Sequence, residues 1–474
     1  MLFLNSFLAE FDNFTLKYLE GRISKDLGLE KGQFDRLQKY WIGLVYAIGS
    51  ILVAWFADYA KCRAGALALV SGLGGVCLVG LGLVTSFGPF MVGRIWMSIF
   101  HAGIEALSIS LISDMIPWPD VFVGISVFYA SRYLTQATAG RIALIFEVLG
   151  VKKWGDRAKC TGIVGIIFAV IVALVIPEPD RQKSLLADSI QGFGFYREKD
   201  KDKNAISGWK DVKDTCMQMM GLKSLWILVL STGVKLLGTD LFNAHIADSL
   251  QSVSQDRINL TNTYGLIYGA AGSASIIFGG ITALVIWRTT TCWRWKAVPF
   301  WISAVGGVAS NIFLICALFS RTNRSEATTL TIIYSNIAAT LFASETWLGV
   351  LSTIMVSLLS PSCKTLGFAV CSAIQWVIYA AGPEALRLGL GAKDPSGASY
   401  AQIIKVAISI IIPLCHLWAG VGILLGIRLV RHDMEVPEVL GNLSYGRRLR
   451  FVFAAVISAS IVIVLMAFGV KDMS

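Results

Sequence analysis

The stretch YREKDKDKN, residues 196–204, decides how this chain is organised. A run of such polarity has no place in hydrocarbon, and it lies inside a long polar segment, 178–224, of a chain that is otherwise strongly apolar. Of the 474 residues, 55% are hydrophobic and 15% charged, with a mean hydropathy of +0.66, a composition foreign to soluble domains of this length. On either side, apolar windows of about 20 residues recur, the length a helix needs to cross roughly 30 Å of hydrocarbon. They fall at 2–18, 40–57, 64–87, 89–116, 121–149 and 160–176, and again at 225–247, 264–287, 298–319, 330–359, 366–382 and 400–430. Alternating strands of about ten residues, the pattern of a membrane barrel, are not seen. The sequence therefore predicts an all-α polytopic membrane protein. Six windows, a linker and six windows form the hydropathy of two parallel repeats, each an inverted pair of three-helix units.

The division that follows is an N-terminal half, 1–177, a linker, 178–223, a C-terminal half, 224–432, and a tail, 433–474. Within the linker, WKDVKDTCMQMMG, 209–221, has the pattern of a short amphipathic helix at the membrane surface, with a solvated loop as the alternative. The tail holds a thirteenth apolar run, 451–470, long enough for an added span, with a helix lying in the interface as the competing reading. The first apolar window lacks a basic flank and cleavage site, so it reads as a retained helix.

The net charge of +10 does not indicate nucleic acid, because Lys and Arg gather between the apolar windows, where they set topology. A cytosolic linker also places KCR, 61–63, WRTTTCWRWK, 287–296, Arg428 and Arg431 in the cytosol, while the basic loop 151–159 falls outside. The sequons at Asn259 and Asn323 land on the non-cytosolic side, where glycans are added. The 9 cysteines are scattered, with no paired spacing for a metal. No phosphate-cradling Walker loop, HExxH pair or GxSxG elbow is present, so no metal, cofactor or enzymatic activity is expected.

Ionisable residues inside the windows point to function, since each is costly in hydrocarbon and usually faces a pathway or relay. In GRIWMSIFHAGIEALSISLISD, 93–114, His101 and Glu105 follow Arg94 by seven and eleven residues and so share its helix face, with Ser98 beside them. His101 is a candidate proton-coupling element; a hydrogen-bond set that only fixes packing is the alternative. Asp12 lies in the first window, Arg132 and Gln136 share a face of the fifth, Lys235, Asp240 and His245 stud the seventh, and Glu345 sits in the tenth. Lys235 and His245 are expected near helix ends, reaching toward water. Ser108, Ser110 and Ser113 read as backbone-bonded, and the glycines of VSGLGGVCLVGLGLV, 70–84, as a surface for close helix contact.

Several of these segments resemble a known family. AWFADYAKCR, 54–63, stands where the major facilitator superfamily carries its Gly-x-x-x-Asp-Arg-x-Gly-Arg-Arg loop, with Asp58 on the Asp and Arg63 on the last basic position. Ala54, Tyr59 and Cys62 depart from that pattern. The order of features resembles the Spinster branch, whose members are associated with proton-linked export of lysophospholipids and sphingolipids. LAEFDNFT, 8–15, keeps Asp12, Phe14 and Thr15 of that branch's first-helix motif but has Asn13 in place of its Arg. In the fourth helix Arg94 is followed by His101 where the branch has Glu, and by Ser113-Asp114 at the spacing of its Ala-Asp. SVFY, 126–129, is similar to the branch's Ser-Ile-Phe-Tyr, and LSPSCKTLGFAV, 359–370, falls where it has Val-Pro-Thr-Arg-Arg.

The resemblance implies a major facilitator fold and a secondary active transporter that moves a small amphiphilic or anionic solute by alternating access with proton linkage, the endolysosomal membrane being slightly favoured. In this reading Arg94 and Arg132 pair an anionic head group, with Gln136 and Trp347 beside them. Asp12, His101, Glu105, Asp240 and Glu345 carry or sense the proton, and Asp58 and Arg63 form a gating loop. Expected partners are the solute or lipid, protons, the bilayer and a protein bound through the C-terminal apolar segment. Two alternatives stay open. Trp347, Gln375 and Trp376 suit a carrier of sugars or amino acids, and the departures in 54–63 suit a membrane subunit that kept the fold without transporting.

Overall fold

The helix Trp154–Val175 shows the pattern that governs this molecule. Ile163, Ile167, Val170 and Leu174, spaced for one helical face, are exposed, while Arg157 and Thr161 are buried. On Ala398–Glu435, likewise, Leu414, Leu417, Val421 and Leu425 are exposed and His416 is buried. This inverts the arrangement of a soluble helix, and it is what lipid requires, because hydrocarbon accepts apolar side chains and leaves polar ones to find partners within the bundle.

The computed structural model describes residues 1–18, 20–28, 42–151, 153–179, 219, 221–249, 257–320, 326–359, 364–390 and 398–435. Most of the linker, Asn323 and the C-terminal apolar run 451–470 lie outside them, as do the side chains of Asp12 and Asn259. Among the described residues the N-terminal half contains α1 (Leu2–Tyr18), the short α2 (Glu20–Asp26), α3 (Ile42–Ala60), α4 (Arg63–Leu81), α5 (Phe87–Met115), α6 (Val121–Val148) and α7 (Trp154–Val175). The C-terminal half contains α8 (Lys223–Ser249), α9 (Arg257–Thr289), the single turn α10 (Trp293–Lys296), α11 (Val298–Phe319), α12 (Glu326–Ser344), α13 (Trp347–Ser357), α14 (Lys364–Leu390) and α15 (Ala398–Glu435). Among the described residues, ten helical stretches are long and apolar enough to cross a membrane. The remaining two positions of the twelve-helix pattern belong to α1 and to α6, whose Ser131, Arg132, Thr135 and Gln136 lower its hydropathy. The chain is an integral, multi-pass membrane protein.

The helix pairings repeat between the halves. In the first, α1 packs on α6 and α7, α5 on α3 and α4, and α4 on α7. In the second, α8 packs on α14 and α15, α12 on α9 and α11, and α11 on α15. Each pairing of the first half thus has its counterpart six spans later. The contacts across the seam obey the same exchange: α6 meets α9 as α14 meets α3, and α6 meets α13 as α14 meets α5.

Two departures from the sequence reading concern single features. The tenth window is interrupted at Glu345–Thr346, dividing α12 from α13. Lys235 does not reach toward water: it is buried in the middle of α8, where its ammonium donates to the Ser303 carbonyl at 3.1 Å and lies 5.4 Å from the Trp347 ring centroid. Those internal partners replace the water that a lysine nearer a helix end finds at the interface.

The glycine-rich face of α4 is a contact surface, as expected. A Cβ on Gly75 would stand 2.8 Å from the Gly162 carbonyl oxygen, and one on Gly162 would stand 2.6 Å from that of Gly75. The backbones of α4 and α7 meet there with no room for a side chain. Gly75→Val is expected to destabilise the purified protein by about 1–3 kcal/mol, read as a lower melting temperature. Gly80→Val, where a Cβ meets nothing within 4 Å, should leave it unchanged.

Candidate functional site

Four helices of the N-terminal half, α1, α3, α5 and α6, turn polar side chains toward one cavity. It measures about 30 Å³, room for water and not for a solute. Glu10, Asn13, Tyr46, His101, Glu105, Tyr129 and Arg132 line it. The Arg132 guanidinium lies 3.7 Å from the Glu10 carboxylate and 5.1 Å from the ring centroid of Trp376 on α14, and Trp376 in turn packs on Tyr46 at 4.6 Å. Its side chain stays 24% exposed and lines this N-terminal cavity, with Trp376 of the other half against its face. The donor fork of a guanidinium matches a carboxylate or phosphate.

Glu105 is held from two sides. The Tyr129 hydroxyl donates to it at 2.7 Å and the Ser372 hydroxyl, from α14 of the other half, at 3.2 Å. Ser352 of α13 donates to Tyr129 at 3.3 Å, so one chain of hydroxyls joins both halves around this carboxylate. Glu345 has a similar setting: Tyr133 of α6 donates at 2.7 Å, Thr239 of α8 at 3.2 Å and Ser344 at 3.0 Å. Asp240 accepts from Tyr379 at 2.9 Å.

The structure distributes the residues nominated from sequence over several places. His101, Glu105 and Arg132 meet at the cavity. Arg94 is buried on the same face of α5 but deeper along it, reaching the Asn13 side-chain oxygen at 3.5 Å. The His101 ring rests against α4, its Nε2 2.5 Å from where a Gly74 Cβ would stand. Gln136 lies at the crossing of α6 and α9, its carbonyl oxygen 3.3 Å from a Cβ on Gly265. Trp347 is fully buried in the C-terminal half, away from this cavity. Gln375 donates to Thr232 at 2.5 Å, whereas Trp376 stands at the seam. Glu10, Tyr46, Tyr129 and Tyr133 had been given no role in the site from the sequence; the signal available was the i, i+4 spacing of the two tyrosines around Arg132, which sets all three toward the seam.

The gating residues lie at the basic end of the bundle. Asp58 accepts the Leu366 amide at 3.0 Å, capping the start of α14. Arg63 donates to Asp114 at 2.5 Å, to Ser110 at 2.7 Å and to Glu178 at 3.2 Å. Lys364, from the other half, donates to the second oxygen of Asp114 at 2.7 Å, and Thr365 donates to Ser110 at 2.9 Å. Of the three serines expected to bond the backbone, Ser113 does so, at 2.8 Å to the Ser110 carbonyl; the Ser108 hydroxyl has no partner among the described residues, and Arg63 and Thr365 converge on the Ser110 hydroxyl because α4, α5 and α14 meet there. A second tie, Arg288 to Asp120 at 2.6 Å, closes the seam beside the packed rings of Trp118, Phe122 and Trp287.

No protein-family model matches the sequence, and no curated protein does. Solved structures do. A bacterial homologue of the human lysosomal transporter Spinster, inward-facing and unoccupied, matches with a TM-score of 0.57 at 17% identity over 92% of this chain and 95% of that one. Such a homologue in an inward-facing and occupied conformation gives 0.55 at 18% identity over 96% and 95%. The human organic anion transporter MFSD10 (TETRAN) gives 0.50 at 14% identity over 90% and 97%. The chain has the fold of the major facilitator transporters. Within that fold Spinster homologues are among its structural neighbours, as the first-helix motif and the fourth-helix spacing led one to expect.

Asp114 is 3% exposed and holds Arg63 and Lys364, themselves 0% and 8% exposed. Asp114→Asn leaves two buried cations without that charge, so a loss of about 3–5 kcal/mol is expected, seen as a drop in melting temperature. Asp114→Asn combined with Lys364→Met should recover part of it.

Proposed function

We propose that this chain is a secondary transporter that moves a small amphiphilic or anionic solute, of the lysophospholipid or sphingolipid kind, by alternating access with proton linkage. The observation that carries this reading is Arg132, whose part-exposed guanidinium lines the N-terminal cavity with Trp376 of the opposite half against its face. A guanidinium takes the anionic group of a solute while Tyr46, Phe128 and Trp376 offer apolar surface to the rest. The fold supports the reading, since two of its neighbours are homologues of a lysosomal transporter and a third transports organic anions.

In the cycle, Arg94 braces α1 through Asn13, and the basic end faces the cytosol. That end is shut by Asp58, Arg63, Asp114 and Lys364. The cavity in this state has room for water and not for a solute, so solute enters when the halves part. Asp12, His101, Glu105 and Asp240 serve the proton: Glu105 exchanges it against its hydroxyl partners, and His101, one turn away, relays it. Read from the sequence, the sequons at Asn259 and Asn323 belong to the non-cytosolic loops of this proposed orientation.

Arg132→Ala is expected to weaken binding of a lysophospholipid about 10- to 100-fold, the equivalent of one charged hydrogen-bonding group. Arg132→Lys, which keeps charge but not the fork, should lose less. Tryptophan quenching on the purified protein reads both, with a neutral monoacylglycerol as control. Equal binding of the anionic and neutral lipids, or no effect of Arg132→Ala, overturns the reading.

A further inference from the structure

The surroundings of Arg132 differ from side to side. The Trp376 ring lies against one face of its guanidinium, 5.1 Å away at the centroid. The Glu10 carboxylate stands off its Nε edge at 3.7 Å, outside hydrogen-bond distance. Among the described residues no hydrogen bond is made to the two terminal nitrogens. An incoming anion therefore finds the terminal fork open in its own plane, with a carboxylate already standing at the neighbouring edge.

Glu10 is fixed in that place. Asn13, three residues on in α1, donates from its amide to the carboxylate, while its side-chain oxygen lies 3.5 Å from the Arg94 guanidinium. Glu10 thus sits between two arginines, one beside it and one reached through an amide. Glu105, which lines the same cavity, faces it electrostatically. The carboxylates and guanidiniums described around the cavity are therefore two of each, balanced before a solute arrives. A site made for a dianion gathers cations, but here the second one, Arg94, is 2% exposed and turned to Asn13. Glu10 and Arg132 are 22% and 24% exposed, so both meet the space that a head group takes. The first negative charge of a solute is met by the open fork. A second has no cation left, and it stands beside the Glu10 carboxylate where water screens it poorly.

We propose that Glu10 is a specificity-determining residue: as a fixed counter-anion at the edge of Arg132, it admits a head group with one negative charge, a phosphate diester, and discriminates against the doubly charged phosphate monoester. The proposal rests on the reading of Arg132 as the anion site and narrows the solute class within it. A phosphate monoester carries about −1.5 to −2 charges near neutrality. Esterifying a second oxygen leaves one.

Lysophosphatidic acid and its methyl ester, alike but for that charge, are the probes, with binding to the purified full chain read by tryptophan quenching at about pH 8, where the acid holds its second charge. The unaltered chain is expected to bind the methyl ester about 10-fold more tightly, the effect of one uncompensated charge near Glu10. Glu10→Gln, which keeps the shape and removes the charge, should tighten binding of the acid and bring the two lipids within about twofold. Glu10→Asp should keep the preference. Equal affinity of the unaltered chain for the two lipids overturns the proposal, as does a ratio unmoved by Glu10→Gln. If that variant does not fold, the two lipids on the unaltered chain decide: a 10-fold gap supports the proposal and equality overturns it. Arg132→Ala separates this from the reading beneath it. Weakened binding of both lipids with a ratio unmoved by Glu10→Gln overturns the role of Glu10 alone, whereas no effect of Arg132→Ala overturns the anion site itself.

Discussion

Hydrocarbon offers no hydrogen bonds, and the rest of this structure depends on that fact. Buried polar groups find their partners inside the bundle or not at all, so the polar residues become the connectors between helices. Asp58 joins α3 to α14, Glu105 joins α5 to α6 and α14, and Glu345 joins α12 to α6 and α8. Asp114 goes furthest, since it binds a cation from each half at once. What a soluble protein leaves to its apolar core is done here by carboxylates and hydroxyls, because the apolar side chains are as content in lipid as in protein.

The seam is held by two kinds of contact with different fates. Along α6 and α9, small residues let the backbones approach: a Cβ on Gly272 would fall on the Tyr133 ring, and one on Gly280 on Ser126. That packing needs no water and no charge. At the basic end the contacts are ionic, and pulling Lys364 from Asp114 inside a dry bundle would be very costly. If the same movement admits water, the parted charges are solvated as they separate and the cost falls steeply. An ionic clasp at the mouth of a cavity is stable when shut and readily undone when wet.

Much of the architecture was legible because hydropathy reports length and polarity directly. The windows 121–149 and 298–319 correspond closely to α6 and α11, and the glycines of 70–84 foretold the meeting of α4 and α7. The polar stripe on α5 was visible as well, since Arg94, His101 and Glu105 obey helical spacing. What could not be read was anything that depends on a partner far away in the chain. Lys235 looked like a residue seeking water because Ser303 and Trp347 lie some 70 and 110 positions on. Ser110 looked bland because its partners come from α4 and α14. Tyr133 reads from sequence as one more aromatic, and only the crossing of the halves sets it against Glu345.

Three residues within about one turn of α6 point in different directions of service. Tyr129 supports a carboxylate of its own half, Tyr133 one of the other half, and Arg132 the space between them. On α14, its counterpart, Ser372, Trp376 and Tyr379 are divided in the same way among Glu105, Arg132 and Asp240. Each of these helices therefore works like a key whose teeth stand on one face and meet several locks, and its rotational phase is as much a part of the site as any side chain. One inserted residue ahead of Tyr129 would turn everything beyond it by about 100°, leaving the helix intact and every lock it serves unmatched. Sequence drift that a loop or a lipid-facing stripe absorbs without effect is closed to these two helices, where length itself is under constraint.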